Sequence, residues 1–239
     1  MSAATGKIAR MKLLVLDTST EWCSAALWLD GHVQARRILA EQRHSSLLLP
    51  MVDDLLRESA IALRQLDGIA YGAGPGSFTG LRIACAVTQG LALGADLPVV
   101  GVSTLESIAE QAGAEQVLTV LDARMAEVYW AAYRRDGVDW HTVSEPQLAL
   151  PESVAVPEGG DWVGASNGFV ALGNVLRPRL AARLARIDDT LMPDAAAMAP
   201  LAARAFERGE RQDAALAAPI YLRDKVALTV DERRARCSA

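Results

Sequence analysis

Three features of this 239-residue chain predict an α/β fold in two lobes, with mixed sheets flanked by helices. Short runs of apolar, branched residues, such as Lys12 to Leu16 and Val99 to Val102, have the length and composition of buried strands. They alternate with longer stretches whose apolar residues return at helical spacing, such as Leu47, Leu48, Met51, Val52, Leu55 and Leu56. The third feature is a glycine-rich turn, Gly74-Pro75-Gly76-Ser77-Phe78-Thr79-Gly80-Leu81-Arg82, set between a strand pattern at Gly68 to Tyr71 and a helix pattern. The length suits one large domain or two small ones with real cores, and the order of elements favours two.

Taken in order, the first strand ends in a polar turn, Asp17-Thr18-Ser19-Thr20. Cys23 to Leu29 and Val33 to Leu39, joined through Asp30-Gly31, read as an antiparallel hairpin. A helix follows from His44 to Arg57, where Pro50 fits comfortably only in the first turn. After the Gly68 to Tyr71 strand, Ser77 is placed to cap a helix running to about Gly94. On that helix Ala86, Gly90 and Gly94 recur every four residues and form one stripe, while Ile83, Val87 and Leu91 form the next. Each interior glycine costs the helix about 1 kcal/mol relative to alanine, a loss that makes sense if another helix packs closely there. Packing within the chain and a subunit contact both satisfy that requirement.

After the Val99 to Val102 strand, Ser103-Thr104-Leu105-Glu106 is a capping-box pattern, and a second lobe begins. Gln116 to Leu121 and Glu127 to Arg134 read as strands around Asp122-Ala123-Arg124-Met125, with more strand-like sequence from His141 to Leu150. Pro151 to Gly160 is turn-rich surface, Pro193 to Arg208 is helical, and Pro219-Ile220-Tyr221-Leu222-Arg223 precedes a charged tail. The resulting division is 1–10 leader, 11–102 N-terminal lobe, 103–190 second lobe, 191–225 C-terminal helix and motif, and 226–239 tail. No internal repeat is evident in the sequence.

Composition excludes several classes of function. A net charge of −5 gives no general basic footprint for nucleic acid, so any RNA contact needs a partner to supply most of the grip. Cys23, Cys85 and Cys237 are odd in number and scattered, which argues against a disulfide framework and suits a reducing, cytoplasmic setting. His32, His44 and His141 are too dispersed for a metal cluster. No uninterrupted apolar stretch approaches the ~18 residues of a membrane span, so no membrane association is expected.

The glycine turn carries the most chemistry. Gly74, Gly76 and Ser77 can aim backbone N–H groups and a helix N-terminus at an anion, and Asp17 at the first strand's end can hold magnesium with Asp122 opposite it. Yet the Lys-[Ser/Thr] pair of a P-loop is absent, and the spacing is not Gly-x-Gly-x-x-Gly. The bland alternatives are that Ser77 caps a helix, that the glycines permit a tight turn, and that Asp17 bonds its local backbone. Arg82 is open to a phosphate, a partner carboxylate or an intramolecular pair.

The order of elements matches the actin-like ATPase, sugar kinase and Hsp70-type fold, in which two related lobes face a cleft. Leu14-Val15-Leu16-Asp17-Thr18-Ser19-Thr20, the 74–83 turn, Val102-Ser103-Thr104-Leu105, Asp122-Ala123-Arg124-Met125-Ala126-Glu127-Val128-Tyr129 and Pro219-Ile220-Tyr221-Leu222-Arg223 together resemble the TsaB family. These are the dimerisation subunits of the bacterial tRNA threonylcarbamoyladenosine machinery, within the glycoprotease-like group. The resemblance runs from about Met11 to Lys225 and is loose between Pro151 and Thr190.

That resemblance implies a non-catalytic subunit. It would pair with a TsaD-type catalytic subunit and a TsaE-type ATPase, reach tRNA through the complex, and require no cofactor of its own, ATP and metal residing on the partners. The catalytic paralogue's His-x-x-x-His motif falls here on Ser103-Thr104-Leu105-Glu106-Ser107, whose hydroxyls cannot replace two imidazoles on a transition metal. The paralogue's second glycine loop falls on Asp122-Ala123-Arg124-Met125. The family's interface helices land on His44 to Arg57 and Ser77 to Gly94. They nominate His44, Leu48, Met51, Val52, Leu55, Ile83, Ala86, Val87, Gly90, Leu91 and Gly94 as partner contacts, with a homodimer as a competing state. The alternative is an active ATP-binding enzyme of the actin-like kinase or glycoprotease-like group, using Asp17 and the glycine turn.

Overall fold

The computed structural model describes residues 11–223. The leader 1–10 and the tail 226–239 lie outside the described residues, as does the end of the C-terminal motif segment. The first lobe contains β1 (Lys12–Asp17), β2 (Trp22–Leu29), β3 (His32–Leu39), α1 (His44–Glu58), β4 (Gly68–Gly74), α2 (Phe78–Ala95) and β5 (Val99–Ser103). Next come α3 (Thr104–Gln111), β6 (Gln116–Asp122), β7 (Val128–Asp136), β8 (Asp139–Ala149), β9 (Val163–Ala165), α4 (Gly168–Ala171), α5 (Gly173–Leu180), β10 (Arg186–Asp188) and α6 (Ala195–Glu207).

The two sheets share one plan. The first has the order β3-β2-β1-β4-β5, antiparallel on the β2 and β3 side and parallel through β4 and β5. The second, read from its other edge as β8-β7-β6-β9-β10, repeats that order and those directions. The repeat that the sequence hides is therefore present in the topology. This is a mixed α/β, actin-like architecture of two sheets flanked by helices, as the element order predicts.

Alternation along the strands explains why the first sheet needs covering on both faces. Leu14, Leu16, Cys23, Ala25 and Leu27 pack against α1 and α2, whereas Leu13, Val15, Ala26 and Trp28 pack against α6. The 191–225 segment thus returns to the first lobe, with α6 as the helix on its second face. The edge strand β3 is largely exposed and carries Arg36 and Arg37, which discourages pairing with another sheet. In the second lobe, Leu105 and Ile108 of α3 cover one face with Val117, Leu121, Tyr129 and Tyr133. Phe169 of α4 and Leu176 of α5 cover the other, with Leu118, Val120, Trp130 and Trp162.

Local details differ from expectation at one helix. Pro50 sits in the interior of α1, because the helix already begins at His44. By length and composition alone, α2 is long and apolar enough to cross a bilayer, but it packs Leu81, Ala84, Cys85, Thr88 and Ala92 into the protein. Its Ser77 and the Ser103 of α3 are both N-caps, accepting from the backbone N–H of Gly80 and Glu106.

Candidate functional site

A cleft of about 640 Å³ separates the lobes. Its first-lobe wall is the glycine turn together with Ser19, Thr20, Glu21, Glu41 and His44, and its second-lobe wall is the turn at Asp122 to Met125. Ile220 to Arg223 close one side.

The glycine turn is packed against its own chain. A Cβ on Gly76 would stand 2.5 Å from the Ser19 carbonyl oxygen, and one on Gly80 would stand 1.8 Å from that of Thr18. The Ser77 N–H donates to the Ser19 carbonyl at 2.7 Å, and the Thr18 hydroxyl donates to the Gly80 carbonyl at 2.7 Å. Gly74 has φ +124°, and its Cβ position lies 2.7 Å from the Ile220 carbonyl oxygen. These glycines admit the backbone of the β1–β2 turn and of the C-terminal segment, the space a phosphate would need. Ser77 serves as the helix cap.

Asp17 corrects the magnesium expectation. Its side chain is fully buried and is not part of the cleft wall. The carboxyl lies over Gly72, where a Cβ would come within 2.1 Å of its Oδ1, and it accepts from the Ser19 hydroxyl at 3.1 Å. Burial raises its pKa to about 7, against the opposing pull of the Ser19 hydrogen bonds. Asp122 does line the cleft but is paired with Arg124 at 3.2 Å. The residues present do not fit a magnesium nucleotide. The strand-end carboxyl is withdrawn, Glu21 and Glu41 face the cleft, and Arg124 and Arg223 already hold Asp122 and Glu127. Among the described residues, no three His, Cys, Asp or Glu side chains gather as a metal site.

The hydroxyl cluster after β5 is structural. Thr104 donates to the Pro75 carbonyl at 2.5 Å, Ser107 donates to the Thr104 carbonyl at 2.7 Å, and both side chains are buried. They tie α3 to the glycine turn. Arg82 stacks over Phe78 at 3.6 Å and donates to the Tyr221 hydroxyl at 2.9 Å, and among the described residues it forms no ion pair.

The nominated interface residues divide by helix. His44, Leu48, Met51, Val52 and Leu55 are buried in the first lobe, and His44 Nε2 meets the Thr20 carbonyl at 2.8 Å. The apolar stripe of α1 is core against β2, so these five are corrected from partner contacts to packing residues. The α2 stripe is different: Ala86, Gly90 and Gly94 are exposed, and a Cβ on either glycine would meet nothing within 4 Å. Ile83, Val87 and Leu91 are half-buried beside them. Close packing among the described residues is therefore not what these glycines permit.

A profile of the family described as TsaD, tRNA N6-adenosine threonylcarbamoyltransferase, matches residues 37–229. The Escherichia coli K12 tRNA threonylcarbamoyladenosine biosynthesis protein TsaB is 42% identical over 226 residues, covering 91% of this chain and 96% of its own length. The chain belongs to the TsaB family. The Haemophilus influenzae TsaB is 35% identical over 90% of this chain and 95% of its own length. The YeaZ structure from Pseudomonas aeruginosa superposes with a TM-score of 0.81 at 40% identity, over 89% of this chain and all of that one.

Sequence reasoning singled out the late motif of this TsaB-family chain without assigning it a task. The structure shows a clasp. Tyr71 exchanges hydrogen bonds with Ala218, the Ile220 N–H donates to the Ala73 carbonyl at 2.7 Å, and Arg223 crosses to Glu127 at 2.6 Å and to the Ala123 carbonyl at 3.1 Å. The clasp thus joins β4 of the first lobe to the β6–β7 turn of the second. That turn places Arg124, Met125 and Ala126 consecutively at positive φ, a geometry unsignalled by any glycine.

Proposed function

We propose that this chain is a non-catalytic subunit of a tRNA adenosine-37 N6-threonylcarbamoyltransferase complex in the cytoplasm. It pairs with a TsaD-type catalytic subunit, acts beside a TsaE-type ATPase and reaches tRNA through the assembly. Family membership supports the pathway, and the open stripe on α2 supports the contact. Gly90 sits in the interior of α2 and Gly94 in its last turn, with no described atom over either Cβ position. Gly90 alone weakens an isolated helix by about 1 kcal/mol relative to alanine, which a closely docked partner helix offsets. The withdrawn Asp17, the self-packed glycine turn and the buried hydroxyls at 104 and 107 support a supporting role, with ATP and metal chemistry left to the partners.

Titrating the chain with a TsaD-type subunit tests this reading. Gly90→Glu is expected to weaken association by at least about 2 kcal/mol, near 30-fold in Kd, because it puts a charge at a buried centre. Its thermal unfolding should stay close to the parent's, since the site is open in the single chain. Unchanged affinity would move the contact elsewhere. Dimerisation of the chain with itself should fall in parallel if the same face serves both states.

A further inference from the structure

On the second lobe the clasp ends on acceptors of unequal strength. Arg223 Nη2 donates to the Ala123 carbonyl at 3.1 Å, while Nη1 lies 2.6 Å from a Glu127 carboxylate oxygen and 3.5 Å from the Met125 sulfur. The carboxylate and the carbonyl are strong acceptors, and the thioether is a weak one. Met125 is also 42% exposed at the mouth of the cleft, whereas Met51, Met192 and Met198 are buried and Met11 is half-buried. It stands between Arg124 and Ala126 in the run of positive φ, in a turn whose own hydrogen bonds come from the N–H groups of Ala123, Arg124 and Glu127. Left-handed backbone is unfavourable for residues that carry a Cβ, so this turn depends on contacts from outside it. Arg223 supplies them.

We propose that Met125 is a site of reversible oxidation by peroxide, and that its sulfoxide tightens the clasp by giving Arg223 one more strong acceptor. A sulfur lone pair attacks one oxygen of hydrogen peroxide, the S–O bond forms as the O–O bond breaks, and the departing hydroxide takes the proton of the transferred oxygen and leaves as water. Sulfur loses two electrons and the peroxide gains them. Arg223 Nη1 carries two hydrogens, so one stays on Glu127 while the other, which now meets only the sulfur, reaches the sulfoxide oxygen. A charge-assisted N–H···O bond thus replaces a weak N–H···S contact. The exposure that admits peroxide also admits methionine sulfoxide reductases, which return each sulfoxide epimer to the thioether. The two lobes are then held together more firmly in the oxidised protein than in the reduced one.

Treating the full-length chain with hydrogen peroxide and mapping sulfoxides by peptide mass spectrometry tests the site. Met125 is expected to oxidise at least about tenfold faster than Met51, Met192 or Met198, in line with exposure. Hydrogen exchange on the same samples tests the consequence. Exchange in the 121–127 peptide should slow about tenfold on oxidation, the low end of what a hydrogen bond to a charged group contributes, and should recover after treatment with the two reductases. In Met125→Leu and in Arg223→Gln, each compared with its own untreated form, peroxide should leave that peptide's exchange unchanged. Met125→Gln, whose side-chain carbonyl stands in for the sulfoxide, should show the slowing without any oxidant. Met125 oxidising no faster than Met192 would overturn the proposal. So would a sulfoxide that leaves exchange unchanged or speeds it, or slowing that survives in Arg223→Gln.

Discussion

Replacing Gly80 with alanine is expected to cost about 4 kcal/mol of folding stability, while the same exchange at Gly90, on the same helix, is expected to add about 0.5 to 1 kcal/mol. At Gly80 the new methyl would lie 1.8 Å from a backbone oxygen of Thr18, which has no rotamer in which to retreat. Moving α2 away also breaks the buried hydrogen bond from the Thr18 hydroxyl to the Gly80 carbonyl, a loss of about 1 to 3 kcal/mol on its own. At Gly90 the methyl meets open space, and only the entropic benefit to the helix remains. Urea unfolding of both variants against the parent measures the contrast. A Gly80→Ala protein as stable as the parent would mean that the glycine turn is not packed on the β1–β2 turn.

Asp17→Asn is expected to stabilise the protein on the order of 3 kcal/mol at pH 8 and by little at pH 4. The sign follows from the raised pKa. Between the ordinary value of 3.8 and the folded value of about 7, the folded state holds a proton that the unfolded state has released. Stability contributed by that proton is complete below about pH 4, falls as pH rises, and is gone above the folded pKa. Asparagine is neutral throughout, so its advantage should grow across the same window. Glu106, also raised by burial to about 7, adds a slope of the same sign in both proteins and cancels in the difference. The check is a chemical-unfolding series from pH 4 to 8. A difference between variant and parent that does not change with pH would place a charged, compensated carboxylate at Asp17.

The hairpin, the first parallel strands and both serine caps were legible because each has a local cause, in alternation, turn chemistry or a capping side chain. Strands β9 and β10, of three residues each, have no such signature and exist because neighbouring strands and α4 and α5 hold them. The duplication was hidden for a related reason: topology is set by strand direction and order, which unrelated side chains can satisfy equally. In the candidate site, helical periodicity marked apolar stripes on both α1 and α2, but periodicity does not say what covers a stripe. In α1 it is covered by β2 and its neighbours, whereas in α2 the adjoining small residues face outwards. Asp17 misled for a similar reason. A strand-end acid beside a glycine turn reads as a cation ligand until its side chain is seen turned over Gly72.

The return of α6 to the first sheet has a consequence for synthesis. Leu13, Val15, Ala26, Trp28, Ala70 and Val100 emerge early from the ribosome, but the helix that covers them begins only at Ala195. While the second lobe is being translated, that face of the first lobe stays uncovered, and nascent chains with exposed apolar surface are the ones that holdase chaperones engage. The lobe that starts first is therefore finished last.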